Sequence, residues 1–161
     1  MPHQLAPRLP SFGYRGLHRY FLTICVDQRR PRLILPSHVR PLTSQLLTTA
    51  ASYRFAVLAY CFMPDHMHAL LEALTDDANF CDCVRIFKQR SAFHWKRNTG
   101  EVLWQRSYYD RVLREDEDTP AVARYILENP VRAGLVSSPL DYPFIGSGSM
   151  DVKDLIVSLD T

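Results

Sequence analysis

Two histidines separated by a single residue, His66 and His68, are the first feature of the chain with chemical content. They follow Met63-Pro64-Asp65, a turn-like break between two apolar runs, so the local pattern is strand, tight turn, strand. Residues two apart in a strand face the same side. His66 and His68 therefore aim at one point while Met67 faces the core. Two converging neutral imidazoles suit a divalent cation. Two ordinary half-buried strand histidines would show the same spacing; the turn and the long flanking apolar runs weigh toward the metal reading. Two imidazoles leave a cation under-coordinated, and a late helix offers more. Tyr125 and Asn129, four residues apart, share one helix face. The amide oxygen of Asn129 could reach a cation, and the Tyr125 phenol could lie beside whatever that cation holds. By spacing alone the pairing is weak: a tyrosine on such a helix is in most cases a core or boundary residue, and an Asn before Pro is usually a simple helix terminator. Tyr60, Tyr108, Tyr109 and Tyr142 compete as nucleophiles.

The elements that must position these groups follow from periodicity and punctuation. Residues 19–27 are aromatic and β-branched and form a first strand. Ser37 caps a helix reaching Tyr53, with Val39, Leu42, Leu46, Leu47 and Ala50 on its apolar face. Residues 55–62 and 66–74 are the strands of the histidine hairpin. Residues 80–98 form a second helix closed by Gly100, with Val84, Phe87, Ser91 and Trp95 inward and a basic opposite face. A fourth strand lies within 102–113. Thr119-Pro120 starts a third helix and Asn129-Pro130 ends it. This βαββαβ order predicts an α+β, ferredoxin-like split βαβ fold: an antiparallel sheet with helices on one face, then a C-terminal catalytic helix. One domain is expected, with an irregular basic arm at 1–18, a core at 19–113, the tyrosine helix at 119–130 and a C-terminal tail at 131–161, of which 152–159 is a short strand or helix.

The 161 residues suffice for one domain with a real core, and 47% hydrophobic with 22% charged residues is a globular composition. No apolar run approaches the ~20 residues of a membrane span, and Met1–Pro10 lacks an apolar signal core, so the expected location is cytoplasmic with no membrane partner. Cys25, Cys61, Cys81 and Cys83 read as reduced thiols; Cys81-Asp82-Cys83 is too tight for a zinc knuckle and has no second pair. A net charge of +2 permits a nucleic-acid partner without requiring one. The basic residues cluster at Arg85, Lys88, Arg90, Lys96 and Arg97, with Arg15 and Arg19 near the N-terminus, and an acidic run occupies 115–118.

The segments Met63-Pro64-Asp65-His66-Met67-His68 and Ala123-Arg124-Tyr125-Ile126-Leu127-Glu128-Asn129-Pro130-Val131-Arg132-Ala133-Gly134-Leu135, with Trp104–Arg111 and Asp141-Tyr142-Pro143, resemble the single-tyrosine HUH transposases, in particular the branch associated with repetitive extragenic palindromes (REP). The resemblance spans residues 19–143. It implies that His66, His68 and Asn129 hold Mg²⁺ or Mn²⁺ and that Tyr125 is the nucleophile. It further implies cleavage and rejoining of single-stranded DNA beside a hairpin through a 5′-phosphotyrosine. Asp65 stands where Asn is common in the family. The DNA contacts expected are Arg15, Arg19, Arg85, Lys88, Arg90, Lys96 and Arg97 for phosphates, and Trp95, Trp104, Tyr108 and Tyr109 for stacking on unpaired bases. Either a monomer or a helix-swapped homodimer is compatible with the sequence. Two other readings stay open: a hairpin-binding protein that keeps the fold without catalysis, and a ferredoxin-like RNA-binding or small-nucleotide module.

Overall fold

A computed structural model describes residues 12–115 and 117–161. The strands β1 (Arg19–Cys25), β2 (Phe55–Met63), β3 (His66–Ala73) and β4 (Tyr109–Val112) alternate with α1 (Pro36–Ser52) and α2 (Phe80–Thr99) in the expected βαββαβ order. The sheet runs β4-β1-β3-β2 with every pairing antiparallel, the ferredoxin-like arrangement, and a two-residue strand β5 (Ile145–Gly146) adds a fifth position beside β2. No helix is long and apolar enough to cross a membrane among the described residues.

Each face of the sheet has its own apolar layer. Alternate residues of β1 and β3 (Tyr20, Leu22, Ile24, Met67, Ala69, Leu71) join Val39, Leu42 and Leu46 of α1 and Val84, Phe87 and Trp95 of α2. The intervening positions face the other way. There Leu70, Cys61 and Met63 pack against Val122, Ala123, Ile126 and Leu127 of α3 (Thr119–Leu127) and Leu155 of α5 (Val152–Leu159). Helices thus cover both faces, and α3 shares its face with His66 and His68. A register shift between Val57 and Ala59 places Leu58 and Ala59 both on the α3 side, the two-versus-one count of a β-bulge. Met67, fully buried between the two histidines, anchors the hairpin on the α1/α2 side. Met67→Ala is expected to lower stability by about 2–5 kcal/mol, read as a lower urea midpoint with unchanged slope.

Several boundaries differ from the sequence expectation. Residues 1–11 of the expected arm lie outside the described residues. Residues 12–18 are no loose arm: Tyr14 is buried over Tyr20 and Phe80, and Arg15 bridges to Asn79. The first residue of α1 is Pro36, and Ser37 makes no cap. Asp118, not Thr119, caps α3 by accepting from the Ala121 N–H. Pro130 does not stop helical winding, because it occupies the first turn of α4 (Asn129–Arg132), where no N–H is needed. The i→i−4 bonds Glu128 N to Arg124 O and Arg132 N to Glu128 O carry the coil across the junction. The expected tail packs down: the Tyr142 hydroxyl donates to the Phe62 carbonyl, and residue 146 must be glycine because a Cβ there would meet the Tyr60 ring.

Candidate active site

The β1/β3 register builds the site. Thr23 lies opposite His68, Cys25 opposite His66, and Tyr109 of β4 opposite Thr23, so all face the α3 side. The two imidazole rings stand 4.7 Å apart, edge to face. Each Nδ1 is held. That of His66 is 2.7 Å from Asp65 Oδ1, and that of His68 is 2.8 Å from Thr23 Oγ1. Asp65 is anchored in turn by the Arg29 Nε donor at 2.9 Å, and Arg29 also donates to Cys25 Sγ. Gln28 and Arg29 both adopt positive φ, near 54° and 53°, a conformation uncommon for residues other than glycine. That double kink delivers the guanidinium to the hairpin turn.

The electrostatics fix the proton. Burial opposes the Asp65 charge, but the His66 hydrogen bond and Arg29 outweigh it and hold the carboxyl below its usual range. Burial likewise lowers the His66 imidazole below its ordinary value, although Asp65 pulls the other way. A neutral His66 beside an ionised Asp65 must carry its proton on Nδ1, since the carboxylate can only accept. Nε2 then presents its lone pair, the arrangement by which an outer carboxylate orients a metal-binding histidine. Cys61, opposite His68 on β2, is no thiolate donor: burial pushes its thiol up to about 12. No group of three or more His, Cys, Asp or Glu residues converges among the described residues. The half-buried amide of Asn129, one turn past Tyr125 at the α3–α4 junction, has the right chemistry for a hard cation.

Tyr125 projects from α3 on this same side and is 44% exposed. One aromatic ring separates it from the imidazoles: Phe21 lies 5.2 Å from His68 and 6.2 Å from Tyr125, centroid to centroid. Arg132 caps the phenol from outside, its guanidinium carbon 3.9 Å from the ring centroid and its Nη2 donating to the Tyr125 carbonyl at 2.6 Å. Arg111, paired with Glu117, reaches the Phe21 ring at 5.9 Å. The competing phenols fare worse. Tyr60 and Tyr142 are held above the ordinary phenol value, chiefly by burial, and Tyr142 is committed to Phe62. Tyr108 packs toward Phe80 on the opposite layer. Tyr109 shares the face and lies opposite Thr23, whose strand adjoins the histidine strand.

The expected DNA contacts divide. Trp95 and Trp104 are buried in the α1/α2 layer, with the Trp104 indole N–H donating to Ser91 Oγ, so neither presents a ring to a base. Tyr108 is withdrawn likewise. Lys88 is turned inward, its ammonium donating to the carbonyls of Gln105, Arg106 and Ser107. Arg19 is half-buried and reaches the Arg114 carbonyl. Arg15, Arg85, Arg90, Lys96 and Arg97 are exposed, and Tyr109 is half-buried beside the site. The sequence reading missed Arg132, Phe21, Thr23 and the Arg29–Asp65 link. Arg132 alone left a signal, since it follows Tyr125 by seven residues, two helical turns.

Comparison with known proteins places the chain in a family. The family model for IS200-like transposases matches residues 16–129. A Haemophilus influenzae protein named for the REP-associated tyrosine transposases is 30% identical over 150 residues, spanning 83% of this chain and 81% of its own. The REP-associated tyrosine transposase of Escherichia coli K12 is 25% identical over 126 residues, spanning 78% and 73%. A solved structure of a REP-associated tyrosine transposase bound to a REP hairpin superposes with a TM-score of 0.71 at 23% identity, over 87% of this chain and 82% of that one.

Proposed function

The chain belongs to the IS200-like transposase family, and on that premise we infer that it is a metal-dependent strand transferase that cleaves and rejoins single-stranded DNA next to a REP-type hairpin, with Tyr125 as nucleophile. The observation that carries this reading is the shared face: two imidazoles oriented through Nδ1 and an exposed phenol one ring away. His66, His68 and Asn129 would hold Mg²⁺ or Mn²⁺. When bound, such a cation supplies Lewis-acid stabilisation of charge developing on a phosphodiester.

The protein's own groups do the rest. Asp65 and Thr23 hold the two rings in register. Arg132 fixes the Tyr125 ring against α4, and its charge faces an incoming phosphate. The phenol oxygen of Tyr125 bonds to phosphorus, the P–O3′ bond breaks, the phenol proton passes to water at this exposed position and the departing 3′ oxygen takes a proton from water to leave as a hydroxyl. The 5′-phosphotyrosine conserves the phosphodiester bond, so another 3′-hydroxyl can reverse the step and join strands without ATP. DNA hairpins as the partner are supported by the REP hairpin bound to the structural relative.

The test is direct. A labelled hairpin with a single-stranded flank, incubated with Mn²⁺, is expected to give a protein–DNA adduct that survives denaturing electrophoresis and is absent with EDTA. Hairpin binding without any adduct would identify a non-catalytic binding protein instead, and preference for an RNA hairpin would point to the RNA-binding alternative.

A further inference from the structure

The α1/α2 layer is the positive side of the molecule. The segment Pro36–Ser52 carries Arg40 and no carboxylate; α2 carries Arg85, Lys88, Arg90, Lys96 and Arg97 against Asp82 alone, in its first turn. The remainder of the chain holds more carboxylates than cations. Lys88 is turned inward and Arg85 leans on Asp82 at 3.4 Å. Arg90, Lys96 and Arg97 are exposed, with no carboxylate in the second half of α2 to offset them. Uncompensated charge on one face is the electrostatic footprint of a polyanion.

A cleft of about 390 Å³ opens into this face, lined by Gln45, Arg90, Phe93, His94, Arg97 and Asn98. Phe93 is 65% exposed. The Arg97 guanidinium lies 5.9 Å from its ring centroid, and the Asn98 amide is 3.0 Å from His94 Nε2. A largely exposed aromatic ring beside two guanidiniums, with amides alongside, has the composition of a single-strand platform: a π surface for a base, cations for its phosphates, amides for its edge. We propose that this cleft takes one unpaired nucleotide of the DNA strand, the base stacking on Phe93 and the flanking phosphates on Arg90 and Arg97. The cleft belongs to the layer that packs on Met67 and Leu71, across the sheet from His66, His68 and Tyr125. It is a second DNA contact, separate from the reacting phosphodiester, and the proposal rests on the DNA-processing reading above.

Anisotropy titrations of the full chain in EDTA, where no cleavage competes, test it with two probes: a blunt labelled DNA hairpin, and the same hairpin with a ten-nucleotide oligothymidylate tail. Phe93→Ala is expected to weaken binding of the tailed probe by roughly 5–150-fold, the value of one base–aromatic stack, and to leave the blunt probe unchanged. Phe93→Trp should restore tail binding. Arg90→Gln with Arg97→Gln should reduce the salt slope for the tailed probe by about 1.4, from two single-strand phosphate contacts. Tail affinity within two-fold of wild type in Phe93→Ala would overturn the proposal. So would equal weakening of both probes without rescue by Phe93→Trp, or equal competition by polyglutamate and oligothymidylate of matched charge. Adduct formation with Mn²⁺ at saturating DNA is scored separately. Its absence in the wild-type protein removes the catalytic reading and leaves the tail-binding result standing.

Discussion

Tyr125→Phe is expected to abolish the covalent protein–DNA adduct, lowering its rate by at least about 10⁴-fold, while hairpin affinity stays within two-fold of wild type. The size follows from chemistry. The substitution removes only the oxygen that bonds to phosphorus, and a covalent route without its nucleophile falls to whatever background the remaining groups support. The unchanged binding follows from structure. The phenylalanine ring keeps its packing against Phe21 and the guanidinium of Arg132 above it, and the Arg132 bond to residue 125 goes to the main-chain carbonyl, which the substitution leaves in place. Stability should hold as well, because the side chain is 44% exposed and buries no hydroxyl. Denaturing gels with a labelled single-stranded hairpin and Mn²⁺ give the rate, and anisotropy in EDTA gives the affinity. Persistent adduct in Tyr125→Phe would move the nucleophile to Tyr109, which lies opposite Thr23 on this sheet face, since the Tyr142 hydroxyl is committed to the Phe62 carbonyl. The double variant would then be the form that loses the adduct.

How much of this was legible in the sequence depends on whether local or long-range geometry decides. Strand periodicity alone separates Met67 from His66 and His68, and the core confirms it. The element order carried the sheet topology, since βαββαβ with tight punctuation leaves few antiparallel solutions. The partners of the histidines were less visible. Thr23 meets His68 only through the β1/β3 register, a pairing across 45 residues that no local pattern encodes. The Arg29–Asp65 contact depends on two consecutive positive-φ residues, and neither Gln28 nor Arg29 advertises that conformation. The aromatic residues misled for a related reason. Trp95 and Trp104 look like base platforms by composition, but the Ser91 hydroxyl satisfies the Trp104 indole inside the core. Lys88 resembled its basic neighbours until the carbonyls of the 105–107 loop came within its reach. Pro130 hid Arg132, because a proline read as a stop conceals a helix that resumes within one turn.

The second large effect concerns the imidazole pair, and here the structure predicts a graded series. His66→Ala or His68→Ala removes one of two nitrogen donors that are aligned before any cation arrives, so Mn²⁺ binding is expected to fall below detection in electron paramagnetic resonance titrations, with metal-dependent adduct formation lost in parallel. Asp65→Ala leaves both nitrogens in place but frees the His66 ring to rotate and to exchange tautomers. Outer-shell losses of this kind typically weaken metal affinity about 10–100-fold. Thr23→Val should act on His68 in the same sense but less strongly, since a neutral hydroxyl makes a weaker hydrogen bond than an ionised carboxylate anchored by Arg29. Asp65→Asn retains an oxygen at the same position and should recover most of the loss. Nitrogen NMR of the metal-free protein separates orientation from mere destabilisation: His66 should hold its proton on Nδ1 in the wild-type protein and divide it between the two nitrogens in Asp65→Ala. If His66→Ala binds Mn²⁺ as tightly as wild type, the cation sits elsewhere. If His66→Ala fails to bind and Asp65→Ala binds normally, the ring is held by its packing and the carboxylate serves only the turn.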